Sequence, residues 1–331
     1  MAQREINVAL VGYGMAGEFF HAPLVHVTEG LVLHSVLERN QERSKERYPM
    51  VQVVRSMEEI LNNKRIELVV IASPNKTHFE YAQKALLADK HVVIDKPFAT
   101  TAKEAEELIA LSNEQNKLLS IFQNRRWDSD FLTVKKLMDE GDLGQIIEYK
   151  AHYDRFRPNV NLASWKEGEG VFYDLGPHLI DQALVLFGKP DQVQVKIEKQ
   201  RQGAMAEDYF EVELTYNSLK VFLSASMLKE QPRPRFSITG TRGTFTKFGL
   251  DPQETALKAG YWPRGESWGE EKEETWGILQ TETQQKHIRS LKGNYPAYYT
   301  NIYRAILGEE KLVVDPVWPL LGIKIIEEGR K

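Results

Sequence analysis

Residues 6–19 read INVALVGYGMAGEF, and the parsing of that stretch decides the fold. INVALV (6–11) is apolar at five of six positions with three β-branched side chains, the composition of a strand buried on both faces. It runs straight into Gly12-Tyr13-Gly14-Met15-Ala16-Gly17 and then into a helical pattern over 15–29. In that strand–turn–helix context a G-x-G-x-x-G spacing has a mechanism. The first glycine permits the tight turn, the second lets backbone approach a pyrophosphate, the third lets helix pack on sheet, and the helix N-terminus favours the anion. Outside it the same spacing is an ordinary glycine turn.

Working outward, short apolar runs alternate with amphipathic charged segments as far as residue 122. Strands are expected at 31–38, 51–54, 66–73, 91–95 and 118–122, and helices near 40–48, 56–63, 77–89 and 101–116, the last opened by Thr101 and Glu104 as a capping box. Strand and helix taking turns is the signature of a parallel sheet, so residues 1–123 read as an α/β Rossmann domain that binds NAD(P). From 124 the pattern changes. A helix over 128–141 leads into long alternating strands near 146–157, 192–202, 208–216, 219–228 and 235–248, read as a large, mainly antiparallel sheet. One helix at 174–187 interrupts them, 249–293 reads as loops, and helices return at 296–307 and 316–328. Residues 124–331 are thus expected to form an α+β C-terminal domain.

Bulk composition narrows the partners. The 331 residues carry 43 basic and 47 acidic side chains, a formal charge of −4, too even to grip a polyanion, so nucleic acid is not expected. Apolar content of 42% in a chain this long suits two packed domains. The absence of cysteine removes disulfides, thiolate catalysis and Cys–zinc sites, which fits a reducing cytosol. No apolar run reaches the ~20 residues of a membrane span, and the first is too short for a signal sequence. A cytoplasmic protein without membrane contact is expected. His21, His26 and His152 do not combine with carboxylates at ligand spacings, so no metal is expected.

At the end of the second strand, Glu38 stands where a carboxylate accepts from the ribose 2′-hydroxyl of NAD. Arg39 follows, and its guanidinium suits the 2′-phosphate of NADP. The two argue for opposite cofactors. A carboxylate beside a phosphate dianion is repulsive unless Glu38 turns away, which leans the residues themselves toward NAD. Arg39 also reads as a solvated surface charge.

The fourth strand ends in Ser73-Pro74-Asn75 with His78 close behind, the fifth in Asp95-Lys96-Pro97-Phe98, and residues 173–181 read YDLGPHLID. With these strings the chain resembles the Gfo/Idh/MocA oxidoreductases along essentially its whole length. QNRRWDSDFLT (123–133), RFRP (155–158), TWG (275–277) and GNYPAYY (293–299) are similar to the branch that contains NADP-dependent scyllo-inositol dehydrogenases. The resemblance implies a Rossmann domain followed by a substrate-binding domain whose open sheet serves homo-oligomerisation, as dimer or tetramer. It tips the cofactor back toward NADP, although Glu38 departs from the small residue of some relatives and keeps NAD open. It also implies a further segment beyond Arg330. Ser73, Pro74, Asn75, His78, Asp95, Lys96, Pro97, Asn124 and Trp127 join Gly12–Gly17, Glu38 and Arg39 as cofactor-binding candidates.

Oxidising a secondary alcohol needs a base for the hydroxyl proton, a donor beside the developing alkoxide and a pocket that aligns the reacting carbon. Lys96 stands at the carboxyl end of a parallel strand, where open α/β sheets bind ligands, and Pro97 drives it extended. Most lysines are merely solvated; the family motif makes this one catalytic. Asp174 and His178, four apart, share a helix face, and Pro177 is tolerated only in a first turn, so the helix should begin close to Asp174. His178 is the natural proton carrier and Asp174 binds a hydroxyl or tunes it. The plainer reading is a capping Asp beside a structural His, with Asp181 structural as well. Lys96, Arg155, Tyr173, Asp174 and His178 are the substrate-binding candidates, with Asp154, Arg157 and Trp165 behind them, and Arg126 stands beside Asn124 and Trp127 where it could border the nicotinamide. The expected substrate is a small polyol or sugar. The alternative is a dinucleotide-binding regulator without turnover.

Overall fold

The computed structural model describes residues 4–159 and 170–330, so Trp165 lies outside the described residues. The chain forms two compact units. The first joins Met1–Trp127 to two later segments, Gln253–Trp268 and Asn294–Leu320; the second holds Asp128–Pro252, Gly269–Gly293 and Leu321–Lys331. The expected boundary at 123 falls just before the first of these crossings.

In the first unit, β1 (Ile6–Val11), β2 (Leu31–Leu37), β3 (Gln52–Val54), β4 (Ile66–Ile71), β5 (His91–Ile94) and β6 (Leu119–Ile121) form one sheet in the order β3-β2-β1-β4-β5-β6. Every pair is parallel. β1 and β4 are nearly all buried, as helices on both faces require. The expected first helix divides into a π-helical turn, Gly17–His21, and α1 (Ala22–Val27). α2 (Ser44–Arg47), α3 (Met57–Asn62), α4 (His78–Leu87) and α5 (Ala102–Glu114) follow. Thr101 accepts from the Glu104 amide as expected, while the Glu104 carboxylate reaches back to the amide and hydroxyl of Thr100.

The second unit contains α6 (Ser129–Asp139), β7 (Ile146–His152), α7 (Val171–Phe187), β8 (Gln192–Glu198), β9 (Tyr209–Tyr216), β10 (Leu219–Ser226), β11 (Phe236–Gly240) and β12 (Gly243–Lys247). With β13 (Gly277–Gln280) and β14 (Gln285–Ile288) its sheet reads β14-β13-β12-β11-β7-β10-β9-β8. Only β7 and β10 run parallel; the other pairs are antiparallel. α7 covers one face of β9 and β10, with Phe172 meeting Phe210 at 4.9 Å between ring centres. On the opposite face of β9 stand Tyr209, Glu211, Glu213 and Thr215, each partly exposed.

Three expectations are corrected. The single strand expected over 235–248 is a hairpin, turned at Thr241-Arg242, with Gly240 pairing Gly243. The stretch 249–293 is not loop alone: it holds α8 (Gln253–Lys258) and the β13–β14 hairpin that extends the sheet. α7 begins at Val171, so Pro177 lies in its second turn. That proline forgoes a bond to the Tyr173 carbonyl, a cost of about 3 kcal/mol. Burial of Val171, Phe172, Leu175, Leu179 and Ile180, at roughly 1.5–3 kcal/mol for each large side chain, outweighs it.

α9 (Pro296–Ile306) and Tyr295 just before it return to the first unit and put Tyr295, Tyr298, Tyr299, Ile302 and Tyr303 into its core beside Leu10, Leu24 and Phe122. α10 (Val317–Glu328) closes the described chain. Among the described residues no helix is long and apolar enough to cross a membrane.

Candidate functional site

The strand order reverses direction beside β1, where β1 leads to β2 on one side and β4 lies on the other. Open α/β sheets bind ligands at such a switch point, outside the carboxyl ends of the strands. A cleft of about 610 Å³ opens there. The ends of β1, β2 and β4 supply its floor through Val11, Leu37 and Ala72. Of the residues singled out in the sequence, Gly12, Tyr13, Gly14, Glu38, Arg39, Ser73 and Pro74 line it. Asn40, Gln41 and Arg43, in the loop after β2 where there is no regular period to read, also line it, as do Thr77 and Tyr81 at the start of the helical segment after β4. Met15, Ala16, Gly17, Asn75, His78, Asp95, Lys96, Pro97, Asn124 and Trp127 are not part of that lining.

The three glycines have separate reasons. Gly12 has φ +98°, and a Cβ there would meet the Ala72 carbonyl oxygen at 2.8 Å. A Cβ on Gly17 would lie 2.1 Å from the Gly12 carbonyl oxygen. At Gly14 a Cβ would meet nothing within 4 Å, so no packing demand within the protein explains that glycine. The space in front of it is open to a phosphate of the kind such a turn accepts. Tyr13 is buried beside it, and burial together with Glu18 pushes its phenol up to about 12, which keeps it neutral next to an anion.

Glu38 is turned inward. One carboxylate oxygen accepts from the Arg43 amide at 3.0 Å, the other from the Ser44 amide at 3.0 Å and the Ser44 hydroxyl at 2.5 Å. Arg55 binds the Glu38 carbonyl at 2.9 Å and the Gln41 carbonyl at 2.6 Å from the same guanidinium nitrogen. The carboxylate, at the edge of the cleft, therefore staples the loop that follows β2. Arg39 and Arg43 are exposed on that loop. Arg43 pairs with Glu18 and lies 5.9 Å from the centre of the Tyr13 ring. A dinucleotide fits these residues: glycine backbone for its pyrophosphate, two arginines for an additional phosphate.

Lys96 stands two residues past the end of β5, and its peptide to Pro97 is cis. Its amide donates to Asp95 Oδ1 at 2.9 Å. Burial pushes the Asp95 carboxyl up, but nearby His21 and the charges of Lys96 and His78 outweigh burial and hold it below its usual range. His78 directs both ring nitrogens at backbone carbonyls, Pro97 and Ser73, each at 2.9 Å. Asn124–Trp127 form a buried 3-10 turn. Arg126 binds the Val313 carbonyl at 2.7 Å, and the Trp127 carbonyl accepts from Asn294 and Gln253 at 2.9 and 3.1 Å.

In the second unit, Tyr173, Asp174 and His178 all ride on the first turns of α7. The Asp174 side chain is 47% exposed and lies 3.9 Å from Arg155, whereas His178 is buried. Arg155 also lies 5.3 Å from the Tyr153 ring centre. Arg330 lies 4.9 Å from the Tyr173 ring centre and pairs with Glu207 at 2.8 Å, an arrangement the sequence did not announce. Asp154 is gripped by Arg233 at 2.7 and 2.8 Å. Burial pushes that carboxyl up and the Arg233 bonds more than reverse it. The Arg157 carbonyl serves Arg201 at 2.8 Å. Asp181 is buried within α7. Among the described residues no group of three or more His, Cys, Asp or Glu side chains is arranged to hold a metal ion.

Comparison with known proteins places the chain in a family. The family model described as "Oxidoreductase family, NAD-binding Rossmann fold" matches residues 6–123, and its companion, "Oxidoreductase family, C-terminal alpha/beta domain", matches 135–330. The chain belongs to this Gfo/Idh/MocA oxidoreductase family. It is 42% identical to uncharacterized oxidoreductase YdgJ of Escherichia coli, over 98% of this chain and 95% of that protein. It is 39% identical to scyllo-inositol 2-dehydrogenase (NADP(+)) IolW of Bacillus subtilis, over 97% and 92%. A solved oxidoreductase from Bacillus cereus superposes with a TM-score of 0.91 at 34% identity, covering 98% of this chain and 95% of that one.

Proposed function

We propose that this oxidoreductase is an NADP-preferring dehydrogenase acting on a secondary alcohol of a small polyol or sugar, with scyllo-inositol as the leading candidate. The observation that carries the cofactor choice is the inward Glu38, whose carboxylate staples its own loop while Arg39 and Arg43 stand exposed beside the cleft. A 2′-phosphate would then meet the Arg39 and Arg43 guanidinium groups with Glu38 held by its own loop, although Arg43 also pairs with Glu18. The 39% identity to an NADP-dependent inositol dehydrogenase supports both halves of the reading.

When bound, the dinucleotide supplies the hydride acceptor, or the donor in reduction. The residues of this chain do the rest. Gly12 and Gly14 hold the pyrophosphate against backbone. His178 accepts the hydroxyl proton at an imidazole nitrogen, Lys96 donates to the substrate oxygen as negative charge builds on it, and Asp174 holds a neighbouring hydroxyl, with Arg155 and Tyr173 as further binding groups. Reduction reverses each step. The open sheet supports assembly into a dimer or tetramer, and the lack of cysteine supports a cytoplasmic setting.

The test is initial-rate absorbance at 340 nm with NADP or NAD and a panel of inositols and aldoses. Turnover with a polyol, faster with NADP, is expected. Lys96→Ala and His178→Ala each lower it at least ~100-fold with dinucleotide affinity nearly unchanged. Silence across the panel alongside tight dinucleotide binding favours the regulatory reading. Sedimentation as a 38.1 kDa species at micromolar concentration excludes the oligomer.

A further inference from the structure

Two buried histidines converge on the segment that carries Lys96. His21, 0% exposed, ends the π-helical turn after the glycine motif. Its Nδ1 is 2.6 Å from the Tyr299 hydroxyl and its Nε2 is 3.6 Å from Asp95 Oδ1. His78, 1% exposed, opens α4, with Nδ1 and Nε2 each 2.9 Å from the carbonyls of Pro97 and Ser73. The residue before Lys96 and the residue after it are each met by a different imidazole. Neither ring lines the dinucleotide cleft.

The packing leaves these rings little freedom. The His21 ring lies 4.3 Å from Phe122 and 6.2 Å from Tyr299, centre to centre, and Phe122 and Tyr299 are themselves buried. Both partners of His78 are acceptors, so each ring nitrogen faces a carbonyl that calls for an N–H. Burying two polar rings is costly without such partners, and an apolar side chain at either place would fill a core more cheaply. Asp95 Oδ1 accepts from the Lys96 amide at 2.9 Å and is also the atom that faces His21 Nε2 at 3.6 Å, an electrostatic contact longer than a hydrogen bond. Apart from Asp95 itself, Lys96 is the one ionisable side chain in the segment so held.

We propose that His21, backed by Tyr299, and His78 are positioning residues for Lys96. They fix the Asp95–Pro97 backbone from both sides so that the lysine ammonium is aimed at the substrate oxygen without a search. The inference rests on Lys96 handling substrate as set out above. An error of about 1 Å in such a group costs on the order of 100-fold in rate.

The test uses the full chain and four variants: Tyr299→Phe, His78→Gln, His78→Leu and Lys96→Ala. Tyr299→Phe deletes only the hydroxyl behind His21 and keeps the ring packing, so it remains informative if a His78 variant fails to fold. Two measurements are made, kcat and KM with NADP and the best polyol, and amide hydrogen exchange of a peptide spanning 91–100. His78→Leu is expected to lower kcat about 10- to 100-fold with KM for the polyol changed little. His78→Gln, which keeps an N–H donor, recovers part of it, and Tyr299→Phe shows a smaller loss of the same kind. In each, exchange in 91–100 accelerates while exchange in β9 does not. Unchanged exchange in 91–100, or kcat within about twofold of the parent in both His78→Leu and Tyr299→Phe, overturns the proposal. Parental turnover in Lys96→Ala removes the reading of Lys96 instead, and with it the catalytic purpose of the positioning, while the exchange data still report whether the histidines hold the segment.

Discussion

Position 38 offers a carboxylate two employments, a ribose hydroxyl or the amides of its own loop, and the loop has it. Glu38→Gln replaces one acceptor oxygen with a donor that must face an N–H, so a loss of about 1–3 kcal/mol in urea unfolding is expected. Arg43→Ala and Arg39→Ala should lower kcat/KM with NADP by roughly 10- to 100-fold, the worth of a charge-assisted bond or two, and leave the NAD value nearly constant. The glycines separate in the same way. Gly17→Ala forces a Cβ to 2.1 Å from the Gly12 carbonyl oxygen and should unfold at lower temperature, whereas Gly14→Ala meets nothing and should melt like the parent while binding dinucleotide more weakly. The sequence placed Glu38 at the end of the second strand and assigned Gly12 to a tight turn and Gly17 to close packing, which the structure bears out. The direction of the Glu38 side chain was hidden because its partners are the amides of residues 43 and 44, in a loop with no local pattern to read.

Elements buried on a regular period were legible, and those defined by a long-range partner were not. β1, β4 and β5 stood out because both faces are covered. α8 did not, since its place is set by Glu254 meeting Arg125, 129 residues away in the chain. Burial alone would raise that carboxyl, but the Arg125 charge and the bonds from Lys258 and Arg125 outweigh it and hold Glu254 down at about 2. A carboxylate depressed in the native state stabilises fully above its unfolded value of 4.5 and loses that contribution as pH falls toward 2. The shift is worth about 3 kcal/mol, so urea midpoints should decline between pH 5 and 2, and Glu254→Gln should decline less over that window. The start of α7 was misplaced for the opposite reason: a rule about proline lost to a helix whose apolar face is buried along its length.

For the whole molecule, both sheets and their order of appearance followed from periodicity, whereas the interleaving of the two units did not. Periodicity is local, and the segments 253–268 and 294–320 join the first unit through side chains rather than strand pairing. Ligand linkage gives a test at this scale. A dinucleotide present at 100 times its Kd adds about 2.7 kcal/mol to the stability of the unit that binds it. NADP should therefore raise the melting temperature more than NAD at equal concentration, and Arg43→Ala should erase the difference.

The tyrosines of α9, with Tyr295 just before it, carry one more implication, for the chain as it is made. Tyr295, Tyr298, Tyr299 and Tyr303 complete the core that β1 and β6 flank, yet they are translated after nearly all of the second unit. The ribosome therefore cannot release a finished nucleotide-binding unit early. Its first 127 residues lack the aromatic side chains that cover part of their core until α9 has been made, so that apolar seam stays open during synthesis.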